Sequence, residues 1–202
     1  MSAEDALTQL HGASAALSEA VGGRYDHALP IGGLAPVVAG AMTGVAKGDW
    51  VVAGPRERVG VVLRGASADR LAEGYGLRPY KLAPSKGGPG ARALHAVGLA
   101  LSSQRPVLCF LANASAASGA FHEALNTAAL TAAPVLFVLT LHELTEDAPV
   151  GTQLAADPVA LAAAHGLDAS WVEPTTDAVQ AAVAAARDAG KPALLALRLP
   201  RT

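Results

Sequence analysis

Two short segments, Ala112 to Gly119 and His142 to Pro149, each follow a strongly apolar run of the chain. They contain the side chains best suited to chemistry. The second segment, His142 to Pro149, contains one imidazole and three carboxylates, at His142, Glu143, Glu146 and Asp147. Such a cluster could bind a divalent metal or act as an acid–base pair. The alternative interpretation is a solvated polar loop after a buried strand, because loops in this position are usually polar.

The first segment, Ala112 to Gly119, consists of small residues and includes Ser115 and Ser118. A hydrolase nucleophile on a strand-to-helix turn needs the pattern Gly-x-Ser-x-Gly, and neither serine has the flanking glycines. The Gly-x-Gly-x-x-Gly pattern of dinucleotide sites and the Walker phosphate loop are also absent from the sequence. The single cysteine, Cys109, precedes this segment within an apolar run. That position predicts a buried core thiol.

Three further groups of residues each have two interpretations. His122 and Glu123 either pack at a helix N-terminus and complement its charge, or face a ligand. Arg56 and Arg58 begin another predicted helix, where they either bind an anion or are solvated. The turn from Gly87 to Gly90 either presents backbone N–H groups to a phosphate or is a plain loop.

A central unit of strand, helix and strand must position these candidates. Val107 to Leu111 and Val135 to Leu141 are apolar at nearly every position, which is typical of central parallel strands covered by helices on both faces. A helix is predicted between them, from Ala120 to Ala132, and Pro134 ends it. Ligands of such sheets bind beyond the carboxyl ends of the strands. Both polar segments are therefore expected to border one crevice.

Strands and helices alternate along the rest of the chain, which predicts an α/β fold, a three-layer sandwich with a mostly parallel sheet. We expect one domain over residues 1–202, with an N-terminal helix within residues 1–23. The other strands are expected at Trp50 to Ala53, Ser170 to Val172 and Ala193 to Leu199. The helices outside the central unit are expected at Ala3 to Val21, Leu34 to Ala46, Gly54 to Leu63, Ser67 to Gly74, Ala91 to Ser103, Asp157 to His165 and Asp177 to Ala189.

The composition narrows the classes of function. Of 202 residues, 51% are hydrophobic and 16% are charged, and the formal net charge is −2. The sequence has no dense basic stripe, so its charge pattern does not favour nucleic-acid binding. It also has no apolar run long enough to span a membrane. A single cysteine and an acidic N-terminus without a signal-peptide pattern predict a cytoplasmic protein. The low charge leaves apolar surface to cover, which favours an oligomer.

A set of segments occurs in an order shared with one known family. The central pair is Phe121 to Leu130 followed by Ala133 to Val138, and the other segments are Ile31-Gly32, Gly48 to Val52, Arg56-Glu57, Leu63 to Gly65, His95 to Ala100, Ala164 to Gly166, Asp177 to Ala186 and Lys191 to Leu195. In this order the chain resembles the alpha subunit of thiamine-diphosphate-dependent 2-oxoacid dehydrogenases. The resemblance covers about residues 27 to 199, and collinear matching is more specific than any single motif.

The resemblance implies a thiamine-diphosphate-binding fold with thiamine diphosphate and Mg²⁺ as cofactors. It places the cofactor-binding residues at Arg56, Ala112, Asn113, Ala114 and His142, with Asn113 and His142 as metal contacts. The family's Gly-Asp-Gly after the first central strand reads Ala112-Asn113-Ala114 here. An amide lacks the charge that a hard divalent cation favours, and the lost glycines restrict close backbone approach to a phosphate.

The implied activity is thiamine-diphosphate-dependent oxidative decarboxylation of a 2-oxoacid, with acyl transfer to a lipoyl group. No catalytic residue is expected on this chain, because the family's beta subunit supplies the activating Glu. The expected partners are a second copy of the chain or a beta-type subunit. The alternative is a non-catalytic scaffold or regulatory subunit that has lost the Mg-diphosphate site. A third hypothesis is an enzyme of a different class, in which His142, Glu143 and Asp147 form a new active site.

Overall fold

A parallel sheet of five strands forms the centre of the computed structural model, in the order β1-β2-β3-β5-β4. The structure describes residues 1–21, 30–74, 77–84, 88–142 and 149–199. Every neighbouring pair of strands in the sheet is parallel. The strands are β1 (Trp50–Val52), β2 (Val107–Ala112), β3 (Val135–His142), β4 (Asp168–Trp171) and β5 (Ala193–Leu199).

Helices connect the strands and cover both faces of the sheet. The α-helices are α1 (Ala3–Ala20), α2 (Ala35–Gly44), α3 (Ala68–Glu73), α4 (Ala91–Ser103), α5 (Asn113–Ala116), α6 (Gly119–Thr131), α7 (Val150–Gln153), α8 (Pro158–Ala164) and α9 (Thr176–Ala189). Shorter 3-10 helices occupy Gly32–Leu34, Glu57–Arg64 and Arg78–Tyr80. Within the described residues, none of these helices combines the length and the apolar character needed to cross a membrane.

The side chains of each strand alternate between two hydrophobic clusters, one on each face of the sheet. Along β2, Leu108 and Phe110 pack with α1, α2 and α9, whereas Cys109 and Leu111 pack with α4, α6 and α8. Because both faces are covered, β2 and β3 need an apolar residue at nearly every position. The predicted α/β fold, a three-layer sandwich with a parallel sheet, is confirmed. That all 202 residues form one domain stays a prediction.

Two glycines allow helix α2 to approach helix α9 closely. A Cβ atom at Gly40 would collide with the backbone oxygen of Thr176 and lie 2.8 Å from the Cβ of Val179. A Cβ atom at Gly44 would lie 2.8 Å from the backbone oxygen of Gln180. Since these neighbours are backbone atoms and β-branched side chains, they cannot move aside easily. The helix layer on this face therefore depends on glycine at both positions.

A buried carboxylate fastens the far end of α9 to the start of β1. Asp49 is 3% exposed, and its Oδ2 accepts hydrogen bonds from Nε of Arg187 at 2.5 Å and from the backbone N–H of Ala46 at 2.9 Å. Arg64 donates to the backbone oxygens of Asp49 and Tyr80. Charge-assisted bonds of this kind fix the loop that leads into the sheet.

Three sequence predictions are wrong in detail. The expected α-helix from Gly54 to Leu63 is a 3-10 helix at Glu57–Arg64, where three valines and a glycine lower helix propensity. The expected loop from Ala112 to Gly119 contains the helical turn α5. The expected strand at Ser170 to Val172 is Asp168–Trp171, because an exposed edge strand has little apolar pattern to mark its ends.

Candidate functional site

The carboxyl ends of β2 and β3 are joined by the side chain of Asn113. Asn113 is 2% exposed. Its Nδ2 donates to the backbone oxygen of His142 at 2.6 Å, and its Oδ1 accepts from the backbone N–H of His142 at 2.9 Å. The side-chain amide therefore occupies the place of one more backbone rung between the two strands. The sheet register explains this, because Ala112 pairs with Thr140 and β3 continues two residues further.

This pair of hydrogen bonds requires an amide. The peptide groups of His142 offer one donor and one acceptor, so Asn113 must present its oxygen to the first and its nitrogen to the second. A carboxylate has no donor and would place an anionic oxygen against the carbonyl oxygen of His142. The local structure thus accounts for Asn at the position where the resembled family has Asp.

Short α5 follows directly and is fixed by two serines. Ser115 is fully buried, and its Oγ donates to the backbone oxygen of Pro89 at 3.1 Å. Ser118 donates to the backbone oxygen of Ser115 at 2.7 Å and caps α6 by accepting from the N–H of Phe121. A Cβ atom at Gly90 would collide with Ser118 Oγ. The Ser115 hydroxyl thus holds the 88–90 turn against α5, and the Ser118 hydroxyl joins α5 to the start of α6.

Arg56 reaches the same edge of the sheet from the segment after β1. Its Nε is buried and has no hydrogen-bond partner among the described residues. Burial lowers the pKa of His142 below its ordinary value of 6.5, and the positive charge of Arg56 lowers this pKa further. The charge of Arg56 thus acts on the imidazole of His142. Of the predicted site residues, Asn113 and His142 are joined by hydrogen bonds in the structure.

Arg92 is a second cation at this edge, and the sequence did not suggest it. Its Nη1 donates to the backbone oxygen of Phe110 at 3.3 Å. A Cβ atom at Gly54, just after β1, would lie 2.6 Å from this Nη1 and 2.6 Å from Oε2 of Glu57. Gly54 therefore gives room for a guanidinium and a nearly buried carboxylate beside the strand end. An arginine two residues after a Gly-Pro-Gly turn was the available signal.

The other candidates lie elsewhere. Arg58 donates to the backbone oxygen of Leu71 at 2.8 Å, and burial lowers its pKa, so it fastens α3 instead of facing the crevice. His122 and Glu123 are exposed on α6. Burial raises the pKa of Cys109 to about 12, as expected for a core thiol. Glu143, Glu146 and Asp147, and Gly87 of the glycine turn, lie outside the described residues.

The residues at the strand ends do not fit an Mg²⁺-bound diphosphate of the usual kind. A hard divalent cation favours charged oxygen ligands, but Asn113 is neutral and its oxygen already accepts a hydrogen bond. In the described ranges, no three His, Cys, Asp or Glu side chains come close enough to hold a metal. Ala112 is half-buried and Ala114 exposed, and each carries a Cβ where the resembled motif has glycine. Their assignment as cofactor contacts stays a prediction.

Comparison with solved structures identifies the fold. Transketolase from Campylobacter jejuni subsp. jejuni NCTC 11168 matches 96% of this chain with a TM-score of 0.72 and 15% identity. The protein has the fold of thiamin diphosphate-dependent enzymes. A Mycobacterium smegmatis protein described as such an enzyme matches 81% with a TM-score of 0.58 and 23% identity. Benzoylformate decarboxylase from Polynucleobacter necessarius matches 82% with a TM-score of 0.59 and 19% identity.

These similarities are structural, and they cover only part of each neighbour. The chain spans 38% of the transketolase, 31% of the Mycobacterium smegmatis protein and 33% of the benzoylformate decarboxylase. No protein-family model and no curated protein matches the sequence. At these identities the comparison establishes the fold alone.

Proposed function

We propose that this chain is a non-catalytic subunit of the thiamine-diphosphate-binding fold, related to the alpha subunit of 2-oxoacid dehydrogenases. In this role it associates with a second copy or with a beta-type subunit, as a scaffold or regulator in the cytoplasm. The observation that supports the loss of Mg-diphosphate binding is the pair of hydrogen bonds between Asn113 and the backbone of His142.

Mg²⁺ would find no charged ligand at residue 113. A carboxylate there could not donate to the backbone oxygen of His142, and leaving that buried oxygen without its partner costs about 1–3 kcal/mol. The amide oxygen of Asn113 has a second lone pair that a cation could use, but it carries no formal charge. A hard divalent cation favours charged oxygen ligands, so the amide is a weak ligand for Mg²⁺.

Isothermal titration calorimetry with thiamine diphosphate, with and without Mg²⁺, tests this proposal. We expect Mg²⁺ to leave any heat of binding unchanged, both for the chain alone and after addition of a beta-type subunit. Saturable binding that appears only with Mg²⁺ would overturn the proposal. Because the comparison is made on one protein with and without the cation, it does not depend on folding differences between variants.

The second candidate is the family reaction itself, decarboxylation of a 2-oxoacid with acyl transfer to a lipoyl group. It is favoured by Arg56, which lies at the position of the family's phosphate-binding arginine by resemblance and has a buried Nε without a partner in the described residues. Release of CO₂ from a 2-oxoacid by the chain mixed with a beta-type subunit, thiamine diphosphate and Mg²⁺ would establish this candidate. No release under these conditions supports the non-catalytic proposal.

A further inference from the structure

A cavity of about 410 Å³ lies beside β1. The larger side chains that line it are Trp50, Leu77, Leu82 and Leu99, which are apolar, and Arg78, which is charged. Trp50 is the first residue of β1, so the cavity reaches the amino end of this strand. Ligand pockets in proteins typically have volumes of roughly 300–1,000 Å³, a mainly apolar lining and few polar groups. In size and lining, the cavity therefore fits a small molecule.

One side of the cavity is fixed to the edge of the sheet by backbone hydrogen bonds. The N–H of Val51 donates to the oxygen of Lys81 at 2.8 Å, and the N–H of Ala83 donates to the oxygen of Val51 at 2.9 Å. Another part of the lining, Trp50 and Leu99, packs against the hydrophobic cluster that contains α4 and α6. Because a strand and a helix hold the lining in place, little order has to be imposed when a ligand binds.

Two cations accompany this apolar lining. Arg78 is exposed and lines the cavity, and the ion pairs formed by the described residues do not include it. Lys81 lies over the indole of Trp50, with its Nζ 5.0 Å from the ring centroid. Positive charge next to an apolar cavity favours an anionic ligand over a neutral or cationic one.

The carboxylates nearest in sequence to the cavity lining do not neutralise this charge. Asp49 forms an ion pair with Arg187, and Glu73 forms one with Arg70 at 2.9 Å. Both carboxylates therefore have arginine partners other than Arg78. A carboxylate brought by a ligand would find the guanidinium of Arg78 available.

We propose that the cavity beside β1 binds a small carboxylic acid with an apolar body. The hydrocarbon part contacts Trp50 and Leu99, where it leaves water, and the carboxylate binds Arg78, whose planar guanidinium matches the two carboxylate oxygens. This inference goes beyond the proposed function and does not depend on it, because none of the residues that line the cavity belongs to the candidate site.

Calorimetry with phenylbutyrate, an aromatic ring on a short carboxylic acid, tests the proposal. We expect saturable binding that is weakened about tenfold in Arg78→Gln, which is the loss of one hydrogen-bonded charge pair. Arg78 is exposed and outside the ion pairs of the described residues, so this variant should fold. The matched control is Arg198→Gln, which removes the same charge from β5, the third strand from β1 in the sheet, and should leave the affinity unchanged.

Fluorescence locates the bound ligand. Trp50 and Trp171 are the two tryptophans of the chain, so Trp171→Phe leaves Trp50 as the reporter, and we expect its emission to change with the same saturation as the calorimetric heat. Absence of saturable binding, binding that leaves this emission unchanged, or an equal loss of affinity in Arg78→Gln and Arg198→Gln overturns the proposal. Equally tight binding of phenylbutyramide, which has the same shape without the charge, also contradicts it.

Discussion

At the scale of single residues, Asn113 is defined by the two bonds it makes to one neighbour. Its buried amide gives a donor and an acceptor to the backbone of His142 at 2.6 and 2.9 Å. The sequence predicted that these residues meet, because parallel strands end at one edge of the sheet. It could not predict the bonding, since this depends on β3 extending two residues beyond the partner of Ala112.

Placing a carboxylate at residue 113 should therefore destabilise the protein. In Asn113→Asp the carboxylate loses the donated bond and repels the oxygen of His142, and we expect the free energy of unfolding to fall by about 1–3 kcal/mol. Urea denaturation at neutral pH measures this change. The matched control is Asn126→Asp on α6, where the side chain is only partly buried and a change within about 0.5 kcal/mol is expected.

The same denaturation measurement, repeated with Mg²⁺, tests whether Asn113→Asp binds the cation. A ligand that binds only the folded state raises the free energy of unfolding by RT ln(1 + [L]/Kd), where [L] is the free ligand concentration. If the pocket still has the shape of an Mg²⁺ site, Asn113→Asp would recover its lost stability in millimolar Mg²⁺. We expect no recovery, and recovery specific to Asn113→Asp would contradict our account of the site.

His142 should make stability depend on pH. Its pKa in the folded state is lowered from 6.5, first by burial and then by the charge of Arg56. Because the unfolded chain then binds the proton more readily, stability should fall as pH decreases from 6.5 towards the lowered pKa, and this loss should stop below it. Denaturation midpoints across that range, compared with His142→Gln, measure the contribution.

The variant Arg56→Gln separates the two causes of the lowered pKa of His142, which are burial and the charge of Arg56. In Arg56→Gln the repulsion disappears while burial remains, so the pKa of His142 should rise but stay below 6.5. A histidine-detected NMR titration measures the pKa directly. An unchanged titration curve in Arg56→Gln would contradict an electrostatic effect of Arg56 on His142.

At the scale of elements, the bounds of secondary structure were predicted best where burial determines the pattern of apolar residues. Strands β2, β3 and β5 need apolar residues on both faces, and their predicted and observed bounds agree within one residue. Helix α5 was missed and the 3-10 helix at Glu57–Arg64 was predicted as an α-helix, because contacts distant in sequence act on both segments in addition to local propensity. Ser115 bonds to Pro89, for example, and Gly60 packs against Met42.

The contact of α2 with α9 gives a prediction with an internal control. Gly40→Ala adds a Cβ against the backbone oxygen of Thr176, so the helices must separate, and overpacking of this kind costs about 1–3 kcal/mol. Gly98→Ala in α4 adds the same group where no atom lies within 4 Å. This variant should be more stable by about 0.5–1 kcal/mol, since alanine favours helix. Denaturation of both variants measures the difference.

We expect the change in the free energy of unfolding to have opposite signs in Gly40→Ala and Gly98→Ala. A general preference for alanine in helices would raise stability in both variants, and such a result would mean that α2 and α9 are not packed as closely as described. Gly44→Ala, which meets Gln180 and Val183, should behave like Gly40→Ala.

At the scale of the whole molecule, two large leucines of one helix layer are exposed. Leu130 on α6 is 79% exposed and Leu101 on α4 is 43% exposed, and these helices pack together on the same face of the sheet. Only 16% of the residues are charged. A partner subunit that packs on this layer would bury both side chains. We therefore propose that the α4–α6 layer is covered by another subunit.

Sedimentation equilibrium measures this association. We expect a mass of at least twice the 20.2 kDa of the chain, or a complex of the same chain with a beta-type subunit. Leu130→Glu places a charge in the interface and should shift the equilibrium towards the monomer. Ala181→Glu adds the same charge to an exposed position of α9, on the opposite face of the sheet, and should leave the mass unchanged. The proposed role would be contradicted if the chain stayed monomeric at high concentration and also failed to bind a beta-type subunit. A scaffold acts by binding its partners, so it requires at least one such interface.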